Sequence, residues 1–368
     1  MMKINKENWE YKSFLSCIEK VPKPKQLTTS DYKKSGAIPI VSQDAKLITG
    51  YTNHEELKNK FDKPVIVFGD HTRVLKYIDF DFVVGADGVK IIIPKGNLLT
   101  KFLYYFLVWH KIPNLGYARH FKLLKDIMIP IPPINTQNYF ISLFDKYQDL
   151  IFLKQKQLKE FDSLESSVFI KMFGDSVVKE MGWEVKSLGE IGNIITGSTP
   201  STKDKENYEP KEYCFVKPSD LPSKGVANIT TTEYFVSSKG FALSRALPIG
   251  SVLISCIGTI GKIGILKQVA CSNQQINAII PNRTIDSYYL AYNIAVNKNK
   301  LESMANAPVV PIINKTSFSL FKIAIPPLSL QQSFAQKIEV IEKQKEVVKN
   351  EIAQLQALLD SEMDKYFG

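Results

Sequence analysis

The chain is poor in the residues that build metal centres, disulfide frameworks and membrane spans. Its 368 residues include four cysteines, Cys17, Cys214, Cys256 and Cys271, and four histidines, with no CxxC pair. That scatter argues against structural zinc and against a disulfide-stapled fold. No apolar run approaches the ~20 residues that span a bilayer, and the opening MMKINKENWEYK lacks an apolar signal segment. A soluble, cytoplasmic protein is expected. Catalytic signatures are missing as well: there is no G-x-S-x-G elbow, no Gly-rich cofactor loop and no Asn/Asp-Pro-Pro-aromatic motif. The run Gly258-Thr259-Ile260-Gly261-Lys262-Ile263-Gly264 has the look of a phosphate loop, but Ile263 stands where a magnesium-binding hydroxyl is needed. A tight turn between two strands fits it better. The chain is expected to bind and not to catalyse.

What the chain has is a repeat. Laid on itself with an offset of 194, Ile131 to Gly174 matches Ile325 to Gly368: Pro132 and Pro133 meet Pro326 and Pro327, Gln137 meets Gln331, Phe140 meets Phe334, and Phe173-Gly174 meets Phe367-Gly368. The prolines cannot continue a helix, and Asn135 or Ser329 is a natural N-cap, so a helix is predicted from about 136 and another from about 330. A 4-3 spacing in the first copy picks out Phe140, Phe144, Tyr147, Ile151, Lys154, Leu158, Phe161, Glu165, Val168 and Met172. In the second it gives Phe334, Ile338, Ile341, Lys345, Val348, Ile352, Leu355, Leu359, Glu362 and Tyr366. Apolar a/d positions over about five heptads are a coiled-coil signature. Two readings follow: the helices pair with each other, or each lies on its own globular body.

The segments before the helices are also related. With an offset of 187, PVIVFGDHTR from Pro64 meets SVLISCIGTIG from Ser251, and FVVGADGVKIIIP meets VACSNQQINAIIP. Both open with W-E-x-K-S, at Trp9 and Trp183, which suggests an entering strand. Short Val/Ile strands broken by Gly and Asp turns follow, then a helix near 98–110 in one half and near 286–297 in the other. The net charge of +10 is uneven: residues 1–135 carry +8, residues 182–327 carry +5, and the two predicted helices carry 0 and −2. Excess positive charge on the bodies is where a polyanion would bind, although an ordinary solvated surface can be as basic.

Taken together, the two IPPxxxQ-to-FG helices, VFGDHTR with VGADG in the first half, and TGSTP with GTIGK and NQQ in the second resemble the specificity subunit of Type I restriction-modification enzymes, over essentially the whole chain. The first half has no GSTP, as expected if the halves read different sequences. The resemblance implies an α+β fold in which two β-rich target-recognition domains with short helices are separated by two long helices that pair as an antiparallel coiled coil, with an internal pseudo-twofold repeat. The expected division is 1–135, 136–174, a linker 175–181, 182–327 and 328–368. The implied role is non-catalytic recognition of a bipartite, asymmetric double-stranded DNA target, with the helices setting the spacer and docking two modification subunits. Two restriction/motor subunits are further candidate partners. S-adenosylmethionine, ATP and magnesium are expected only in partner subunits, with no cofactor or metal in this chain. The alternative is an orphan or phase-variable S-like DNA-binding or scaffold protein without a dedicated restriction complex.

Candidate DNA-binding residues in the first half are His71, Thr72, Arg73 and Lys76, with Arg119, His120 and Lys122 in the loop NLGYARHFKLLKD placed on phosphates. In the second half they are Ser198, Thr199, Lys203, Lys217, Arg245, Lys262, Asn273, Gln274 and Gln275. Amides suit adenine and arginine suits guanine. Each has a structural reading beside it: NQQ can cap strand edges, and the basic loop can be ordinary solvated surface. Leu143, Leu150, Leu153 and Phe169 are too apolar for water on the outer helix faces and are the expected partner-subunit contact.

Overall fold

The computed structural model describes residues 6–22, 24–85, 88–116, 118–174, 182–306 and 310–368. The predicted linker 175–181 lies outside them. The chain divides into two compact units, Met1–Lys154 with Glu351–Gly368, and Gln155–Asn350. Each of two 40-residue helices, Ile134–Phe173 and Leu328–Phe367, contributes one end to each unit.

The strands of the first unit are β1 (Glu10–Ser13), β2 (Gln26–Leu27), β3 (Ile38–Val41), β4 (Gly50–Thr52), β5 (Val65–Gly69), β6 (Leu75–Ile78), β7 (Val83–Gly85), β8 (Val89–Ile92) and β9 (Met128–Ile131). They form sheets of order β2-β7-β3-β4 and β6-β5-β8 and a ribbon β1-β9. The β5 run VIVFG is buried throughout, which is why its apolar residues are continuous and do not alternate. The helix Thr100–His110 completes this body.

The second unit holds β10 (Glu184–Ser187), β11 (Gly192–Thr196), β12 (Tyr213–Val216), β13 (Val226–Ile229), β14 (Phe235–Val236), β15 (Val252–Ser255), β16 (Ile263–Leu266), β17 (Ala270–Ser272), β18 (Ile276–Pro281) and β19 (Lys322–Ile325). Their sheets are β11-β18-β15-β16-β13 and β14-β12-β17, with a ribbon β10-β19. The helix Ser287–Val296 corresponds to the one at Thr100–His110. GTIGK forms the predicted turn between β15 and β16, with Gly258 and Gly261 at φ +76° and +75°.

The duplication is visible in the hydrogen bonds. The ribbons pair in the same register, Glu10 opposite Ile131 and Glu184 opposite Ile325, so W-E-x-K-S is the strand that meets the segment before the prolines. The repeated glutamine then ties helix to body. Gln137 donates to the carbonyls of Asn97 (2.9 Å) and Pro132 (2.8 Å) and accepts from Leu99 N (2.8 Å). Gln331 donates to Thr284 (3.2 Å) and Pro326 (2.9 Å) and accepts from Asp286 N (2.9 Å). Both side chains are fully buried, at the start of the body's short helix in each case.

Here one expectation is corrected. The carbonyls of Pro133 and Pro327 accept the first helical N–H bonds, so the prolines themselves are the caps and the helices start at 134 and 328. Asn135 and Ser329 lie inside the first turn.

Within each unit the start of one long helix packs on the end of the other, so the pair runs antiparallel. In the first unit Phe140 meets Tyr366 (centroids 4.5 Å) and Phe367 reaches Phe102 of the body (5.6 Å). In the second, Phe334 meets Phe169 (5.4 Å) and Phe173 reaches Tyr289 (4.8 Å), at the repeat-equivalent positions of Phe367 and Phe102. Phe169 is therefore no outward contact: it is 2% exposed and belongs to the seam, a correction of its expected place on the partner face. Gly174, at φ +81°, ends the first long helix in the left-handed conformation that glycine adopts freely, its N–H bonded to Ile170 O. The polar seam positions are also matched. Lys154 pairs with Glu351 (2.7 Å), and the nearly buried Lys345 meets Glu165 (3.1 Å), Asp162 (2.9 Å) and Glu342 (2.7 Å).

Replacing Gln137 or Gln331 by alanine leaves buried N–H and C=O groups unsatisfied, at a cost of about 2 kcal/mol or more. Urea denaturation should show a lower midpoint for either variant; an unchanged midpoint would show the tie to be dispensable.

Candidate nucleic-acid interface

In the first unit the connection from β5 to β6 is Asp70 to Val74. Gly69 N bonds Val74 O (2.8 Å) and Arg73 N bonds Gly69 O (2.7 Å), which closes the turn. Arg73 sits at φ +63° and Lys111 at +43°, rare for residues with side chains, and the Arg73 guanidinium donates to Ile112 O (3.1 Å). Asp70 is buried and holds the basic loop: its carboxylate accepts Phe121 N (2.8 Å), and its carbonyl accepts His120 N (2.8 Å). Segment 42–46 closes the cluster from the other side. The Thr72 hydroxyl donates to Gln43 O (2.6 Å), and His71 N donates to Gln43 Oε1 (3.3 Å).

Two predicted DNA-binding residues become internal ties in this geometry. Lys76 is 4% exposed and its ammonium caps the carbonyls of Ser42 and Lys46, burial lowering its pKa against the opposing charge of Asp44. His120 is fully buried, its ring hydrogen-bonded to Asp70 O (3.0 Å) and Leu115 N (3.1 Å). Both point inward because backbone carbonyls and amides of the turn need partners there. Thr72, Arg119 and Lys122 remain exposed, and His71 and Arg73 half-buried. The loop's Phe121 packs edge-on to Phe14 (5.9 Å) and serves the core; Tyr117 lies outside the described residues.

In the second unit the predicted residues converge at one end of the sheets. Gly197 N bonds Ile276 O (3.0 Å) and Ser198 N bonds Ser272 O (2.9 Å), an approach so close that a Cβ on Gly197 would stand 2.2 Å from Asn273 O. That is the physical reason for glycine in TGSTP. The Thr199 hydroxyl donates to Gln274 Oε1 (2.6 Å) and Arg245 to Thr196 O (2.7 Å). Asn273 N bonds Val216 O, next to Lys217, whose ammonium lies 3.1 Å from the Tyr234 ring centre. Lys262 reaches Pro218 O (2.9 Å), and Gln275 O accepts Cys256 N (2.8 Å). Lys203 is exposed farther along the same loop.

Asn273 is a further correction. It is 8% exposed, donates to Gln275 Oε1 (2.9 Å) and accepts from Gln275 N (3.1 Å), so NQQ does cap a strand edge through its first residue. Thr199, Lys203, Arg245 and Gln274 are the exposed members, with Ser198, Lys217, Lys262 and Gln275 half-buried. Gln43, which the sequence does not single out, stands within the first cluster through its bonds with His71 and Thr72. It has no counterpart under the repeat offsets and no charge; its only signal is its place at the end of a Val/Ile strand before an Asp turn.

Among the described residues no cluster of three or more His, Cys, Asp or Glu is arranged to hold a metal ion. None of their helices is long and apolar enough to cross a membrane.

The family model described as the Type I restriction modification DNA specificity domain matches twice, over residues 6–161 and 180–357. The chain belongs to that family, and it is of the specificity-subunit type. It is 26% identical over 345 residues to the Type I restriction enzyme EcoR124I/EcoR124II specificity subunit of Escherichia coli, covering 85% of this chain and 80% of that protein. With the HindI specificity subunit of Haemophilus influenzae it shares 29% identity over 160 residues, 43% of this chain and 35% of that one. A crystal structure of the Type I restriction-modification S subunit from M. genitalium superposes with a TM-score of 0.55 at 16% identity, covering 100% of this chain and 98% of that one. A chain from a study of complex assembly and conformational transition of the type I R-M system gives 0.55 at 17%, covering 100% and 99%. The structural matches carry the fold alone. The two family matches coincide with the two copies of the body and the start of the helix that follows each.

Because His120 bridges turn and loop from inside, His120→Ala should lower the urea midpoint, whereas Arg119→Ala one residue away should leave it unchanged. Equal effects would contradict the division into internal and outward residues.

Proposed function

We propose that each body reads one half of a bipartite, asymmetric double-stranded DNA target and that this chain supplies recognition without catalysis. The observation that supports this reading most directly is the contrast between scaffold and loops. The ribbon, the glutamine tie and the aromatic plug are repeated in the two bodies, yet the exposed polar residues at the strand ends differ: Thr72, Arg119 and Lys122 in one, Thr199, Lys203, Arg245 and Gln274 in the other. A duplicated mount with two different polar tips suits two different half-sites. Arg119, Lys122 and Lys203, on long exposed stems, suit phosphates; Thr72, Thr199, Gln274 and Arg245 suit base edges. The half-buried His71, Arg73, Ser198, Lys217, Lys262 and Gln275 shape those tips.

The long helices, each about 60 Å at 1.5 Å per residue, would set the gap between the half-sites. Their outer faces would dock two modification subunits, which bring S-adenosylmethionine, and two motor-nuclease subunits with ATP and magnesium would complete a restriction complex. In the first unit Leu150, Phe152 and Leu153 are 46%, 65% and 56% exposed, and Leu143 is half-buried beside them. Adjacent exposed apolar side chains on one helix are a typical protein-binding surface.

Co-expression with a modification subunit, followed by mapping of methylated positions in genomic DNA, should give a two-part motif with a fixed gap. Deleting one heptad from both helices should shorten the gap by about three base pairs, at 1.5 Å per residue and 3.4 Å per pair, and leave both half-sites unchanged. An assembled complex without a motif would overturn the reading. Arg119→Ala and Lys122→Ala should weaken binding on all sequences alike, and each should flatten the salt dependence by about 0.9 for a phosphate that is no longer neutralised. Leu150→Asp with Leu153→Asp should abolish co-purification of the modification subunit without shifting the urea midpoint; retained partner would place the docking face elsewhere.

A further inference from the structure

Both bodies carry a glutamine whose side-chain oxygen is held by a neighbouring loop. In the first, Gln43 Oε1 accepts the His71 backbone N–H (3.3 Å), while its own carbonyl accepts the Thr72 hydroxyl (2.6 Å). A backbone N–H can only donate, so the amide orientation of Gln43 is fixed by chemistry: oxygen inward, NH2 outward. The space around it is closed. A Cβ on Gly88 would stand 2.8 Å from Gln43 Oε1 and 2.9 Å from the His71 ring, and a Cβ on Gly69 would stand 2.9 Å from Gln43 Cβ. In the second body Gln274 Oε1 accepts the Thr199 hydroxyl (2.6 Å). Neither NH2 group has a hydrogen-bond partner among the described residues. Gln43 is half-buried and Gln274 exposed, at the outward ends of the two loop clusters.

We propose that Gln43 is a specificity-determining residue of the first body and that it presents N–H donors, not an amide pair, to the DNA. This rests on the reading of the bodies as half-site readers and names what one of them recognises. A glutamine that pairs bidentately with adenine needs its oxygen to accept from the base N6 amino group. The Gln43 oxygen is turned inward onto the His71 N–H and crowded by Gly88, so the NH2 leads. The base edge that fits is one that shows acceptors and no amino donor in the major groove: guanine, through O6 and N7, or thymine, through O4. Because Gly69 and Gly88 close on it and Thr72 grips its backbone, the side chain is held in place before DNA arrives, which removes part of the ordering cost of the contact.

The test uses the assembled methylating complex and the mapped motif. Gln43→Glu keeps the shape and replaces the donors by an acceptor. One position of one half-site should lose its guanine or thymine, with roughly ten-fold or greater loss of methylation at the original sequence, while the other half-site and the gap stay as they were. Gln43→Met, which has neither donor nor charge, should relax the same position to several bases. An unaltered motif in both variants would overturn the proposal, as would loss of both half-sites together, since Gln43 would then serve folding and not reading. A wild-type position that proves to be adenine or cytosine would also overturn it. Failure of the wild-type complex to give any two-part motif would instead sink the half-site reading itself, so the two failures are distinguishable.

Discussion

The structure depends on how the end of a sheet-rich body is fastened to a helix that leaves it. A proline pair ends the ribbon strand and its carbonyl starts the helix, so the chain turns without a spare residue. One turn later a fully buried glutamine commits its oxygen and both amide hydrogens to the body and the proline carbonyl, three hydrogen bonds at a site closed to solvent. A helix fastened only by apolar contacts could slide or rotate on the body at small cost, because dispersion is indifferent to small displacements. Directional bonds from a buried amide are not, and the same set occurs in both units. The aromatic plugs act at the other end of each helix, where Phe367 and Phe173 enter the core of the body beside them. Each body therefore grips the start of one helix and the end of the other.

Between those grips the seam is mostly apolar, and its exceptions are informative when compared through the repeat. The positions held by Lys345 and Glu165 in the second unit are held by Ile151 and Leu359 in the first, all four being almost fully buried. Burial pushes the Glu165 carboxyl up to about 7, helped by its hydrogen bond with Glu342 and opposed by the charge of Lys345. For Lys345 burial works against the charge, but hydrogen bonds to Glu342 and Asp162 raise its pKa above the ordinary lysine range. A buried ion pair adds little net stability over an apolar pair of the same size, since desolvation offsets most of the attraction. What it adds is register. Sliding the helices by one turn would separate Lys345 from Glu165, whereas Ile151 and Leu359 would find other apolar neighbours.

Much of this was legible in the sequence because it is written in residues whose physics is local or periodic. Proline cannot continue a helix, a 4-3 stripe has one partner-facing side, and two copies at a fixed offset must make the same contacts. The short strands followed from buried Val/Ile runs between Gly and Asp turns. The N-cap was misplaced because asparagine and serine favour that position in general, while here a proline carbonyl one residue before the helix was already available. Phe169 was misplaced because a stripe of helical spacing tells which residues share a face and not how wide the covered face is. The body of the second unit, through Tyr289, covers more of the helix than a two-helix seam would.

The candidate interface was less legible, for a reason that applies to any loop built from polar residues. Lysine, histidine and asparagine near a strand end have two uses, to meet a ligand or to satisfy the backbone groups that a turn leaves unpaired, and composition does not separate them. Lys76, His120 and Asn273 took the second use; Arg119, Lys122 and Gln274 are exposed. Charge was a poor guide to the difference, since Lys76 is as basic as Lys122. Hydrogen-bond supply was the better one: where a tight turn crowds carbonyls inward, a nearby cation is drawn in to cap them, and the residues left over for a partner are those the turn has no need of. By the same logic an uncharged side chain can matter more than a cation. With its oxygen turned inward onto the His71 N–H, the amide of Gln43 presents its donors outward, an orientation set by the protein before any partner arrives.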